Sequence, residues 1–245
     1  MRLIAHRGRK GLDPENSLAG LKGLAGDLKE GLAGIEIDVR VTADAVPVML
    51  HDTALERVTN GYGLVEKTQF NDLQALRLIG SDEEPPPRLS DYLDRAAALL
   101  WPSGQQPGQA GAAVIYLDIK THSPSEVSEI ARLIRSLPYA RGIVCLGKTR
   151  PMIEALVETG KGALRLGLLR CTRDTLAEHL DIAHQHKLEV LFVQHGLEAF
   201  RANMDIIPEI RAAKFEAGGS ILNGPIALEL ARKAGCDLVL TDLPT

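Results

Sequence analysis

An α/β fold closed into a single (β/α)₈ barrel is predicted by three features of the sequence. Short β-rich apolar runs alternate with longer amphipathic stretches, the pattern that builds a parallel sheet covered by helices. The length of 245 residues suits one such barrel, which takes about 250. Titratable residues gather where the apolar runs end, and in a barrel those ends share one rim, where the chemistry sits. No solenoid repeat and no shift in composition divides the chain, so residues 1–245 are read as one domain.

Strands are expected at Arg2 to His6, Ile35 to Val41, Pro47 to His51, Ala113 to Ile119, Ile143 to Leu146, Leu164 to Leu169, Val190 to Gln194, Phe215 to Leu222 and Leu238 to Thr241. That is one strand too many for an eight-membered ring. Thr42 to Ala45 is too short for a parallel crossover, which needs about a dozen residues, so the second and third strands must form a tight β-hairpin. Helical patterns cover Asn16 to Glu30, Ser90 to Leu100, Ser125 to Leu137, Thr172 to His186 and Pro225 to Ala234. Asn16, Ser90 and Thr172 are assigned as N-caps, and Pro225 suits a first helical turn. Two stretches fit neither period. His51 to Pro87, with the turn signal Asn60-Gly61-Tyr62-Gly63, reads as a small insertion over the barrel mouth, approximately residues 52–87. Trp101 to Gly111, rich in Pro, Gly and Gln, reads as a mobile surface loop.

Bulk properties narrow the functions. A hydrophobic fraction of 45% and a charged fraction of 24% are ordinary for a globular chain. The net charge of -4 and isoelectric point near 6.0 argue against a basic surface for nucleic acid. Cys145, Cys171 and Cys236 lack metal-type spacing and read as buried small hydrophobes. Met1 leads directly into Leu3-Ile4-Ala5 with no secretory pattern, and no apolar run is long enough to span a bilayer. A cytoplasmic location without an integral membrane segment is expected.

The titratable groups form a series along the strand ends. His6-Arg7-Gly8 closes the first strand, Glu36-Ile37-Asp38 lies in the second, His51-Asp52 ends the hairpin, and Asp118-Ile119-Lys120 ends the fourth. Strand alternation puts Glu36 and Asp38 on one face, and Asp118 and Lys120 on one face. Neighbouring inward carboxylates repel unless a cation lies between them, and an all-oxygen shell suits Mg²⁺ or Ca²⁺. Glu36, Asp38 and Asp118 are therefore the candidate metal ligands. Singly, each is more often a solvated surface group; together they form a pattern. His6 and His51 can supply a general acid and a general base near neutral pH, with no indication of which does which. Arg7 and Lys120 bring positive charge that suits an anionic group such as phosphate. Glu15 lies close enough to the rim to ligate metal or to hold Arg7.

The ordered series His6-Arg7-Gly8, Pro14-Glu15-Asn16-Ser17, Glu36-Ile37-Asp38-Val39, His51-Asp52 and Thr59-Asn60-Gly61-Tyr62-Gly63 closely resembles the signature of the glycerophosphodiester phosphodiesterase family. The likeness runs from Ile4 to about Leu93, then resumes at Leu117-Asp118-Ile119-Lys120, Asn223-Gly224-Pro225 and Thr241-Asp242-Leu243-Pro244. The resemblance implies a TIM barrel of the phospholipase C-like phosphodiesterase type that uses Mg²⁺ or Ca²⁺. The implied reaction cuts a small glycerophosphodiester into an alcohol and glycerol 3-phosphate. It makes His6 and His51 the acid–base pair, Glu36 and Asp38 metal ligands, and Arg7 and Lys120 the phosphate-facing cations. The segment after His51 resembles the family's insertion, which caps the site. Two departures stand out: Asp118 occupies a place where the family most often has Glu but related sphingomyelinase D enzymes have Asp, and Ser220-Ile221-Leu222-Asn223 lacks a family aromatic.

Other functions are compatible with parts of this pattern. A phospholipase D-like phosphodiesterase acting on lysophospholipids or sphingophospholipids fits Asp118, although the 4% aromatic content and lack of an amphipathic membrane segment disfavour a long-chain lipid. A catalytically silent binding module would be expected to lack His6 or His51. An aldolase or isomerase barrel without metal would leave Glu36 and Asp38 unexplained.

Overall fold

The computed structural model describes residues 1–81, 83–102 and 105–242. Its strands are β1 (Arg2–Ala5), β2 (Gly34–Val41), β3 (Pro47–Val48), β4 (Val114–Ile119), β5 (Ile143–Gly147), β6 (Arg165–Cys171), β7 (Val190–Val193), β8 (Glu216–Ser220) and β9 (Leu238–Thr241). Eight of them form a ring in the order β1-β2-β4-β5-β6-β7-β8-β9, closed by pairing of β9 with β1. Every contact in the ring is parallel. The extra strand, β3, pairs antiparallel with β2 outside the ring, Arg40 opposite Val48. The short Thr42 to Ala45 link allows only this reversal.

Helices α1 (Leu18–Lys29), α2 (Phe70–Gln74), α3 (Leu89–Leu100), α4 (Pro124–Ser136), α5 (Arg150–Gly160), α6 (Leu176–His186), α7 (Leu197–Asn203), α8 (Ile207–Ala212) and α9 (Gly224–Ala234) complete the connections. Pro225 does sit in the first turn of α9. Three cap assignments move. Ser17, not Asn16, caps α1: its hydroxyl accepts from the Gly20 amide, while Asn16 has φ 57 and its side chain is taken by Asp38. The extended backbone that a cap requires falls at Ser17, with φ -100 and ψ 157. Ser90 is already inside α3, whose N-cap is Arg88. Thr175 rather than Thr172 precedes α6, because Thr172 and Thr175 first close a turn through their own hydroxyls. Trp101 departs from a surface loop as well: it is buried and its indole donates to Ala113 O at 2.9 Å. Residues 103–104 of that stretch lie outside the described residues.

Strand alternation divides the apolar residues into two cores. Ile35, Ile37 and Val39 of β2 join the layer between strands and helices. Ile4, Tyr116, Leu146, Leu169, Phe192 and Leu240 fill the barrel interior, where Tyr116 meets Phe192 edge to face at 5.7 Å, a favoured aromatic geometry. A third apolar cluster, Val48, Leu50, Leu55, Val58, Val65, Leu73 and Leu78, gives the segment after His51 a small core of its own. That segment is tied back to the barrel where Glu84 accepts from the Leu18 and Ala19 amides, placing a carboxylate at the positive end of α1. All three cysteines are free and buried. Among the described residues no helix is long and apolar enough to cross a membrane.

Candidate active site

Register fixes which way the acidic residues point. In the parallel pair β2–β4, Glu36 lies beside Tyr116 and Asp38 beside Asp118. Tyr116 belongs to the barrel interior, so Glu36, Asp38 and Asp118 also point inward, one layer above or beside it. All three are buried, and their ligand oxygens lie within 4.8 Å of one another. Burial, Asp38 and, to a lesser extent, Asp118 push the Glu36 carboxyl well above its ordinary range, with Lys120 opposing. Burial also acts to raise Asp38, but Lys120, His51 and Arg7 outweigh it and hold that carboxyl below the usual range. This donor set suits a hard divalent cation: three converging carboxylate groups, oxygen only, with one carboxyl made protonation-prone by its neighbours.

The lysines stand closer to the carboxylates than sequence indicates. Lys120 Nζ is 3.0 Å from Asp38 Oδ1 and contacts Asp118 as well. Its pKa is pushed up to about 12, since Asp38 and Asp118 overcome desolvation. Lys148, at the end of β5 and not anticipated from sequence, lies 2.9 Å from the other Asp118 oxygen.

His6 to Gly8 form one turn of 3₁₀ helix at the end of β1. Arg7 and Gly8 have φ 51 and 69, and a Cβ at Gly8 would sit 2.6 Å from the Tyr92 hydroxyl, so the turn needs glycine there. Its shape aims the Arg7 amide at Glu36, 3.1 Å away. The Arg7 guanidinium reaches Glu15 at 3.0 and 3.1 Å and approaches Asp38 at 3.3 Å. Glu15 also receives Arg57 at 2.9 and 2.7 Å. Burial would raise the Glu15 carboxyl, but Arg57 and Arg7 keep it below its ordinary value. Of the two roles open to Glu15, holding Arg7 is the one its contacts occupy. Asn16 completes this wall: its amide donates to Asp38 at 2.9 Å and its carbonyl accepts the Asp38 amide at 3.0 Å.

Both histidines are gripped at Nδ1. His6 Nδ1 is 2.6 Å from Asp242, and Asp242 in turn accepts from Asn223 at 2.7 Å. His51 Nδ1 is 2.5 Å from Asp52, and Asp52 pairs with Arg57. An imidazole held by a carboxylate at one nitrogen offers the other in a fixed direction; His6 Nε2 lies 3.8 Å from Glu36. Burial lowers the pKa of both rings. The structure thus brings together His6, His51, Arg7, Glu15, Glu36, Asp38, Asp118 and Lys120. It adds Asn16, Arg57, Lys148, Asn223 and Asp242. Of these, Asn16, Asn223 and Asp242 stand inside recognisable motifs, whereas nothing in the sequence distinguishes Arg57 or Lys148.

Residues 6–109 match the glycerophosphoryl diester phosphodiesterase family. The chain is 26% identical over 240 residues to glycerophosphodiester phosphodiesterase 1 of Bos taurus, covering 88% of this chain and 68% of that protein. A glycerophosphodiester phosphodiesterase of Caldanaerobacter subterraneus is 38% identical over 74 residues, 30% of this chain and 29% of that one. The fold is shared with an Oleispira antarctica phosphodiesterase solved with its product sn-glycerol-3-phosphate: TM-score 0.82 at 22% identity, over 100% of this chain and 94% of the other. It is shared also with a glycerophosphodiester phosphodiesterase from Agrobacterium tumefaciens, TM-score 0.74 at 23% identity, over 99% and 96%.

Proposed function

We propose that this chain, which belongs to the glycerophosphodiester phosphodiesterase family, hydrolyses small glycerophosphodiesters to an alcohol and glycerol 3-phosphate. The observation that carries this reading is the pair of carboxylate-held histidines beside three converging buried carboxylates. Residues 1–245 act as one barrel domain, with 52–87 as the insertion beside its mouth.

Breaking a phosphodiester needs a nucleophile to lose a proton and a departing alkoxide to gain one. His6 and His51 fit these two tasks: burial favours the neutral ring that accepts a proton, and Asp242 or Asp52 favours the imidazolium that results. Arg7 stands by the carboxylates with its charge shared between Glu15 and Asp38, and Lys120 does the same between Asp38 and Asp118. Both offer charge to a phosphoryl group entering that space. Glu36, Asp38 and Asp118 would hold Mg²⁺ or Ca²⁺, which when bound supplies further neutralisation of phosphoryl charge.

Chelation followed by metal add-back, read by glycerol 3-phosphate release, tests the reading. Turnover should vanish in the chelated enzyme and return with Mg²⁺ or Ca²⁺. Full activity after exhaustive chelation would remove the metal from the proposal. In direct competition, glycerophosphocholine should be consumed ahead of lysophosphatidylcholine; the reverse order would favour a lysolipid phosphodiesterase.

A further inference from the structure

In an eight-membered ring the strand opposite β2 is β7, four places away in either direction. The carboxylates of β2 therefore face, across the barrel mouth, the two residues that follow β7: Gln194 and His195. Neither has a task in the hydrolysis described above.

Gln194 continues the β7 ladder, its amide donating to Cys171 O at 3.0 Å. Val190 and Phe192 belong to the barrel interior, so alternation directs Gln194 inward as well. Its side-chain oxygen is buried and has no hydrogen-bond partner. A buried acceptor left unpaired carries an uncompensated desolvation penalty, which makes it a place where a ligand donor would be gained rather than exchanged. His195 is fixed differently. Its Nδ1 meets the hydroxyl of Ser220, a fully buried residue at the end of β8. Ser220 shares the face of Gly218, where a Cβ would lie 2.3 Å from the Phe192 ring of the interior. Ser220 thus points into the mouth, and His195 lies over it. The charges of Asp118, Lys120 and His6 all act on the His195 ring, as expected if it looks onto the same space. Burial keeps that ring neutral, with a pKa near 4.

A neutral imidazole anchored at one nitrogen and an amide oxygen without a donor recognise hydroxyl groups rather than charge. Resting on the proposed hydrolysis, we propose that Gln194 and His195 form the subsite for the glycerol moiety and hydrogen-bond its terminal hydroxyl. The variable alcohol then has the other flank of Lys120, where a cavity of about 370 Å³ opens between Arg40, Thr53, Glu66, Thr121 and Glu126.

The test deletes one hydroxyl from the ligand and one side chain from the protein. Turnover of glycerophosphocholine is compared with that of the diester of propane-1,2-diol, which lacks the terminal hydroxyl, for wild type, His195→Ala and Gln194→Met. Wild type should favour the full substrate by about tenfold, the scale of one hydrogen bond worth about 1.5 kcal/mol. Each variant should lose most of that factor on glycerophosphocholine, chiefly in KM, and little on the deoxy substrate. Calorimetric binding of glycerol 3-phosphate and of propanediol phosphate repeats the cycle without turnover. Equal losses on both ligands overturn the subsite. A wild type that binds glycerol 3-phosphate in the expected pattern but cleaves no diester leaves the subsite standing and overturns the hydrolysis.

Discussion

His6 and His51 are held at the same nitrogen by the same kind of partner, yet in mechanically different places. Asp242 reaches His6 across the seam where β9 closes on β1, and Asn223 from the preceding loop braces it. His6 is only 4% exposed. Asp52 is the immediate neighbour of His51 and is steadied by Arg57 of the insertion, which also binds Glu15. The His51 side chain is 31% exposed and that of Arg57 47%. One bracket is part of the ring's closure; the other joins the barrel to an excursion with a core of its own. A rigid strand end suits the group that must not move. A bracket built partly from exposed ion pairs can yield as substrate enters, and it is open to screening by salt.

The largest effects should ignore this difference. His6→Ala and His51→Ala should each reduce turnover by about a hundredfold or more, with the fold and the bound metal retained, as measured by circular dichroism and metal content. Near-normal turnover in His51→Ala would break the pairing of the two rings, and loss of metal in His6→Ala would make that residue a ligand. The brackets should then separate them. Asp242→Asn leaves a buried ring wrongly supported and should cost about tenfold or more in kcat, at least the scale seen when a carboxylate that orients a metal-bound histidine is lost. Asp52→Asn should cost less, and only its loss should shrink as salt is raised, because salt already weakens the wild-type bracket. Equal, salt-independent losses would mean that the two supports are equally rigid. Smaller still, Arg57→Gln should lower kcat/KM two- to fivefold, matching an exposed ion pair worth about 0.5–1 kcal/mol.

His195 sharpens the contrast from the side of stability. Its folded pKa of about 4 lies below the 6.5 of an ordinary histidine, so between those pH values the unfolded chain binds more protons than the folded one. Stability from this group is complete above about pH 6.5 and is lost as pH falls toward 4. His195→Gln should therefore flatten the acid limb of a plot of melting temperature against pH. An unchanged limb would assign that loss to His6 and His51, whose pKa values burial also lowers.

The sequence by itself determined the strand pattern, because alternation and run length are local properties. It placed Glu36 and Asp38 on one face and required the hairpin at Thr42 to Ala45, a link too short for anything else. It also named eight of the residues that gather at the mouth, seven of them in or following strands, whose ends share one rim in a barrel, and Glu15 from the loop before α1. Pairings between side chains were decided only by the tertiary structure. Asp242 reaches His6 across 236 positions because closing the ring sets the last strand beside the first. Lys148 finds Asp118 through the register of β4 with β5. Asn16 reads locally as a cap, and becomes a partner of Asp38 because a left-handed backbone turns it into the barrel. Such contacts depend on where whole strands and turns deliver a side chain, and no local propensity carries that information.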